Sequence, residues 1–235
     1  DGYGELITTV EDRIVEQAGE GVDTVFSIFD YTLPENVEDL VLLDMWFRGG
    51  NYYALRGTGN ALSNHIVGND GDNVLDGGAG ADRMEGGAGN DTYAVDHPDD
   101  VVVEAISSGG TDTVLASVSY TLGAGVGVEK LILVGSGDDT ATGNERDNFL
   151  DGSRSPGANH LVGGRGDDSY LLGVGDVVVE LPGEGSDTLV SYGSCTLADN
   201  LENALLLGRD ATTATGTEVG NTLDGTRNPA VNIRI

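Results

Sequence analysis

From Gly59 the chain falls into four consecutive blocks of nine residues in one register: GNALSNHIV (59–67), GNDGDNVLD (68–76), GGAGADRME (77–85) and GGAGNDTYA (86–94). Each block opens on glycine, carries Asn or Asp sixth and places a core-type residue eighth, namely Ile66, Leu75, Met84 and Tyr93. A nine-residue unit is too short to bury a face of its own, so a sustained period of this length restricts the chain to stacked coils in which each repeat packs on its neighbours. The pattern returns as GNERDNFLD (143–151), an eleven-residue variant GSRSPGANHLV (152–162) and GGRGDDSYL (163–171). It returns again as GTEVGNTLD (216–224) and GTRNPAVNIRI (225–235).

A longer period contains the short one. DTYAVDHPDDVVVE (91–104) matches DSYLLGVGDVVVE (168–180), and DGYGELITTVEDRIVE (1–16) matches both with extra residues. Each is followed by an Asp-Thr segment at 22–33, 111–122 and 186–197, then by VEDLVLL (37–43), VEKLILV (128–134) or LENALLL (201–207). This sets three super-repeats: 1–90, with a spacer over 1–58 and the nonapeptide block 59–94 running into the next; 91–167, whose block is 143–171; and 168–235, truncated. The chain therefore reads as a fragment of a longer repeat protein.

The apolar stretches, such as Val101–Val103, Val177–Val179 and Leu131–Val134, are short, rich in branched residues and bounded by Gly and Asp. That punctuation predicts strands, and the frequent glycines penalise any helix by about 1 kcal/mol each. The expected fold class is all-β, a β-solenoid of nonapeptides with longer β spacers.

With 40 acidic against 11 basic residues the net charge is −29, which excludes a nucleic-acid surface for want of clustered cations. No apolar run reaches the roughly 18 residues of a membrane span. The single Cys195 excludes an internal disulfide. The 38 glycines lack the three-residue period of collagen. A weakly apolar chain with this much self-repulsion needs its carboxylates neutralised before it can collapse. In GGxGxD the glycines supply positive φ and allow close backbone approach, the sixth Asp offers a carboxylate, and the turn exposes carbonyls. Such an all-oxygen set suits a hard cation with 6–8 ligands at roughly 2.3–2.6 Å. It favours calcium over zinc, which takes His and Cys, and over magnesium, which keeps its waters.

GGAGADRME and GGAGNDTYA resemble the calcium-binding nonapeptides of the RTX (repeats-in-toxin, haemolysin-type) family. The resemblance is strong over 59–94, moderate over 143–171 and weak over 216–235. It implies a right-handed parallel β-roll with two nonapeptides per coil, export from a Gram-negative cell by a type I system, an extracellular location, and folding on meeting calcium. It also implies that Asp82 faces Asn64 across one ion, Asp91 faces Asn73 across a second, and Asp168 faces Asn148 across a third. The carbonyls of Gly68, Asp70, Gly77, Ala79, Gly86, Ala88, Gly163 and Arg165 are the implied co-ligands. Where Asn replaces Asp in the sixth position a charge is lost, so those sites are expected to be weaker.

Other features have plainer readings. The recurring Glu16, Glu104 and Glu180, and Asp23, Asp112 and Asp187, either extend the metal sites or, as the favoured reading, cap strands and accept turn N–H bonds. Arg165-Gly166-Asp167 spells the integrin tripeptide but lies wholly inside a nonapeptide, and His65 and His160 read as strand residues. Segment 42–57 adds Trp46, Phe47, Tyr52 and Tyr53 where the second super-repeat has none. It is either a platform for a polysaccharide or cell-surface receptor or a loop that buries its own aromatics. The first option makes the chain an adhesin or surface-layer segment. A further alternative is the C-terminal tail of a secreted protease, lipase or alginate epimerase. No GxSxG, HExxH or P-loop is present, and the regular carboxylates are already explained by ion binding, so the chain itself reads as non-catalytic.

Overall fold

The computed structural model describes residues 5–7, 14–44, 54–106, 110–208, 212–218, 220–227 and 232–234. No described residue is helical, and among the described residues the strand pairings with a defined register are parallel. The expected all-β parallel β-solenoid is the fold found, matching a parallel β-roll. Contacts divide the chain into two compact units, one of residues 1–118 with 125–128 and one of 119–124 with 129–235.

In the first unit successive strands from Thr24–Ser27 onward alternate between two rows. One sheet takes Glu5–Ile7, Thr24–Ser27, Asp39–Leu42, His65–Val67, Arg83–Glu85 and Val101–Val103 in that order. The other takes Tyr31–Thr32, Arg56–Thr58, Val74–Asp76, Thr92–Val95 and Thr113–Ala116. The second unit repeats the scheme. Its long row runs Lys130–Leu133, Phe149–Asp151, Ser169–Leu171, Thr188–Ser191, Asn203–Leu206 and Thr222–Asp224. Facing strands form a set of four, Tyr120–Thr121, Thr140–Thr142, His160–Val162 and Val177–Val179, and a set of three, Cys195–Thr196, Thr213–Thr215 and Asn232–Arg234.

Three-residue strands leave one side chain per strand for the interior, because alternate residues face opposite sides. In the nonapeptides this is the eighth residue: Ile66, Leu75, Met84 and Tyr93 in the first unit, and Leu150 and Tyr170 in the second, are all 0% exposed. Parallel register stacks them, with Ile66 on Met84, Leu75 on Tyr93 and Leu150 on Tyr170. The spacers bury inward residues of the same kind, Val25, Leu40 and Val114 in the first unit and Leu131, Leu189 and Ala204 in the second. Because the core is one side chain deep, nothing behind it can collapse into a void. Leu150→Ala is expected to cost about 2–5 kcal/mol, read as a lowered urea midpoint with the folded baseline unchanged.

Stacked coils are held close by glycine. Gly89 sits at φ +114°, and a Cβ there would stand 2.7 Å from the carbonyl carbon of Gly71 in the preceding coil, so the fourth position of GGxGxD admits no side chain.

Candidate metal centres

Acidic residues placed just before a strand share one job. In the first unit Asp82 precedes Arg83–Glu85, and its Oδ1 accepts the N–H of Asn64, which precedes the paired strand one coil earlier, at 2.7 Å and a separation of 18 residues. Asp100 does the same for Asp82 at 2.9 Å. On the other row Asp91 Oδ1 accepts the Asn73 N–H, and Asp112 Oδ1 accepts the Asp91 N–H, both at 2.7 Å. In the second unit Asp168 accepts from Asn148 at 2.7 Å, Asp187 from Asp168 at 2.9 Å, and Glu202 from Asp187 at 2.9 Å. A parallel sheet places each pre-strand N–H beside the next coil's pre-strand side chain, so the acidic column doubles as a hydrogen-bond ladder.

That bond uses only one of the two carboxylate oxygens. Among the described residues five buried side-chain oxygens have no hydrogen-bond partner: Asp82 Oδ2, Asp91 Oδ2, Asp168 Oδ2, Asp23 Oδ2 and Glu180 Oε2. Three of the five are the sixth-position aspartates of the GGxGxD turns, each no more than 1% exposed. A buried carboxylate oxygen with no donor is costly, so the chemistry of these oxygens suits a cation. The described ion pairs lie elsewhere, at His65–Glu85, Arg83–Glu85, His97–Asp99 and Arg154–Asp151.

The electrostatics agree. Burial first, then the acidic neighbours Asp100 and Asp96, raise the Asp82 carboxyl to about 6 against the pull of its backbone hydrogen bond. Burial, with Asp112, Glu104 and Asp72 adding repulsion, raises Asp91 to about 7. Asp168 is likewise raised to about 7, by burial and then Asp187, Asp147 and Asp167. Without a cation these groups hold a proton more readily than an ordinary carboxyl does.

The asparagines of the other turns behave differently. Asn64 Oδ1 accepts the Asn60 N–H at 2.7 Å while its Nδ2 donates to the carbonyls of Val37 and Glu38, each at 3.0 Å. Asn73 and Asn148 accept from the N–H groups of Asn69 and Asn144 at 2.7 and 2.8 Å. In these GN turns the second-position Asn also closes an Asx turn onto Leu62, Gly71 or Arg146. The amide side chains thus satisfy their own loops, whereas the GG turns leave a carboxylate oxygen over.

The main-chain oxygens predicted as co-ligands are partly traced. The carbonyls of Gly77, Gly86 and Gly163 converge with Asn64 Oδ1, Asn73 Oδ1 and Asn148 Oδ1 on the spaces beside Gly59, Gly68 and Gly143, each of which a Cβ would fill. The unpartnered Oδ2 atoms of Asp82, Asp91 and Asp168 occupy the space that a Cβ on Gly77, Gly86 or Gly163 would need. Asp70, Ala79, Ala88 and Arg165 stand in the same turns. Trp46, Phe47, Tyr52 and Tyr53 lie outside the described residues.

The spacer acids accept backbone N–H groups and also lie close to the turns. Asp112 accepts from Asp91, and Glu104 from Ala105 at 2.9 Å. They also bring one oxygen each to within 4.8 Å of one another and of Asp91, and Asp168, Glu180 and Asp187 repeat the arrangement. Tyr93 donates to Glu104 at 2.5 Å and Tyr170 donates to Glu180. The signal was present in the sequence: in the described super-repeats only the last nonapeptide of a block has tyrosine eighth, and each such block runs into a VVE segment and an Asp-Thr pair.

A family model of the RTX calcium-binding nonapeptide repeat, four copies long, matches residues 58–93, 133–169 and 155–179. No curated protein and no solved structure matches the chain.

Proposed function

We propose that this chain, which carries RTX calcium-binding nonapeptide repeats in a parallel β-solenoid, is a non-catalytic module of a secreted bacterial protein that folds when it meets calcium outside the cell. One observation carries the reading: the sixth-position aspartates of all three described GGxGxD turns bury a carboxylate oxygen that no protein donor satisfies. Asp82, Asp91 and Asp168 are the anionic ligands. The carbonyls of Gly77, Gly86 and Gly163 and the amide oxygens of Asn64, Asn73 and Asn148 are neutral ones, and Gly68, Asp70, Ala79, Ala88 and Arg165 are main-chain candidates in the same turns. An all-oxygen set with few charges per site fits a calcium-sized cation.

The bound cation supplies the positive charge that the acidic columns lack. The chain does the rest: its Oδ1 ladder fixes each carboxylate, and the glycines keep side chains out of the space between turns. With a net charge of −29, the unliganded chain pays both conformational entropy and carboxylate repulsion on folding. Ligand binding to the folded state alone offsets both. Low calcium inside a cell would keep the chain expanded for export, and the higher level outside would close it.

Far-ultraviolet circular dichroism of the chelator-stripped chain at pH 8 should show little β-structure, and millimolar calcium should restore it with a sigmoidal titration. An equal β signal with and without calcium would end the reading.

A further inference from the structure

In a run of nonapeptides the sixth residue of one turn faces the first glycine of the next coil. The Gly86 carbonyl converges in this way with Asn73 Oδ1, and the Gly163 carbonyl with Asn148 Oδ1. The last turn of a block has no further nonapeptide above it. Register shows what takes the place of the missing glycine. Val103 pairs with Glu85, so Glu104 stands over Gly86; Val179 pairs with Val162, so Glu180 stands over Gly163. Where a repeat would offer a carbonyl to Asp91 or Asp168, the spacer offers a glutamate side chain. The next pre-strand residue, Asp112 or Asp187, adds a third carboxylate.

Both clusters are buried, with Asp91, Glu104 and Asp112 at 1, 4 and 2% exposure and Asp168, Glu180 and Asp187 at 0, 7 and 1%. They are more than collections of acids, because Asp91 Oδ2, Asp168 Oδ2 and Glu180 Oε2 end without any donor although they are shut away from solvent. A cation with ligands at 2.3–2.6 Å holds opposite oxygens roughly 4.6–5.2 Å apart, and the three oxygens of each cluster lie within 4.8 Å of one another. The tyrosine at the eighth position, aliphatic or Met in the other described blocks of residues 59–94, donates to the glutamate and holds it over the turn.

We propose that each nonapeptide block ends in a cation site of a second kind, built from Asp91, Glu104 and Asp112 in one case and Asp168, Glu180 and Asp187 in the other, which takes calcium and fastens the block to its spacer. With three carboxylates where a repeat turn has one or two, these terminal sites bind calcium more tightly than the turn of Asp82 and fill first. The first super-repeat carries the same order, Asp1, Tyr3, Glu16 and Asp23. Asp1 and Tyr3 lie outside the described residues, but Asp23 Oδ2 is again a buried oxygen with no partner.

The inference rests on the calcium-binding reading, and the experiment separates the two. Calcium bound per chain is counted by equilibrium dialysis for the wild type, for Asp82→Asn, and for the combined Glu104→Gln, Asp112→Asn, Glu180→Gln and Asp187→Asn variant, whose amides keep the backbone acceptors. The combined variant should lose two ions of the tightest class, and Asp82→Asn should lose only a weaker one. Terbium supplies a second readout that survives poor folding of the combined variant. Tyrosine-sensitised terbium luminescence should persist in Trp46→Phe, fall by most of its intensity in Tyr93→Phe/Tyr170→Phe, and be displaced by calcium. If the wild type binds no calcium, the calcium reading itself fails. If it binds calcium but the combined variant keeps the full count, or the tyrosine pair keeps the full luminescence, the terminal sites do not exist.

Discussion

Replacing both Asp91 and Asp168 by asparagine is expected to raise the calcium midpoint of folding by about tenfold or more per site, while leaving the calcium-free chain more ordered at pH 8 than the wild type. The two effects have opposite signs because each carboxylate has two oxygens with separate tasks. Oδ1 accepts a buried N–H, from Asn73 in one case and Asn148 in the other, and an amide oxygen can do the same. Oδ2 carries charge into a site with no protein donor, and an amide removes that charge. Alanine at the same positions removes both oxygens. It should raise the calcium midpoint and also destabilise the calcium-free state, by about 1–3 kcal/mol for each buried N–H left unpaired. Calcium titrations followed by circular dichroism, with urea midpoints at saturating calcium, distinguish the three proteins. Asparagine and alanine variants that titrate like the wild type would remove Asp91 and Asp168 from the ligand set.

Acid should substitute for calcium. In the fold Asp82 is raised to about 6, Asp91 and Asp168 to about 7 and Glu180 to about 8, from ordinary values of 3.8 and 4.5, with burial the largest cause in every case. A carboxyl whose folded pKa exceeds its unfolded value binds its proton more tightly in the fold. Its contribution to stability is therefore complete below about pH 4 and lost as pH rises through about 6 to 8. Protonation also relieves the general repulsion of the acidic columns. The calcium-free chain should accordingly gain β-structure between pH 8 and pH 5, and calcium binding to the acid-ordered chain near pH 5 should release protons, measurable as a buffer-dependent heat in calorimetry. Calcium-free β-structure that stays flat over this range, or grows as pH rises, would contradict the placement of these groups.

Much of the candidate site was legible in the sequence because the nonapeptide is a local code. Glycine at a positive-φ position and Asp closing the turn are decided within six residues, so Asp82, Asp91 and Asp168 could be named from spacing alone, and each has an unpartnered buried oxygen. Glu104 and Glu180 were equally visible as recurrences. Nothing local distinguishes a glutamate that caps a strand from one that stands over a glycine in the coil below, and Glu104 lies 11 residues beyond the Tyr93 that holds it. The asparagines show the converse. Asn64 and Asn73 share the sixth position with the aspartates, yet one lone pair of each oxygen already serves Asn60 or Asn69 within its own turn, and only the other is left for a cation.

The sequence by itself determined the all-β class, the one-residue-deep core drawn from the eighth positions, and the demand for cations, because period, glycine placement and net charge are properties of the chain before it folds. Only the tertiary structure decided which oxygen of each carboxylate is spent on the backbone and which acids from different coils meet. Both depend on the register of parallel strands 15 to 21 residues apart, and hydrogen bonding between coils fixes that register.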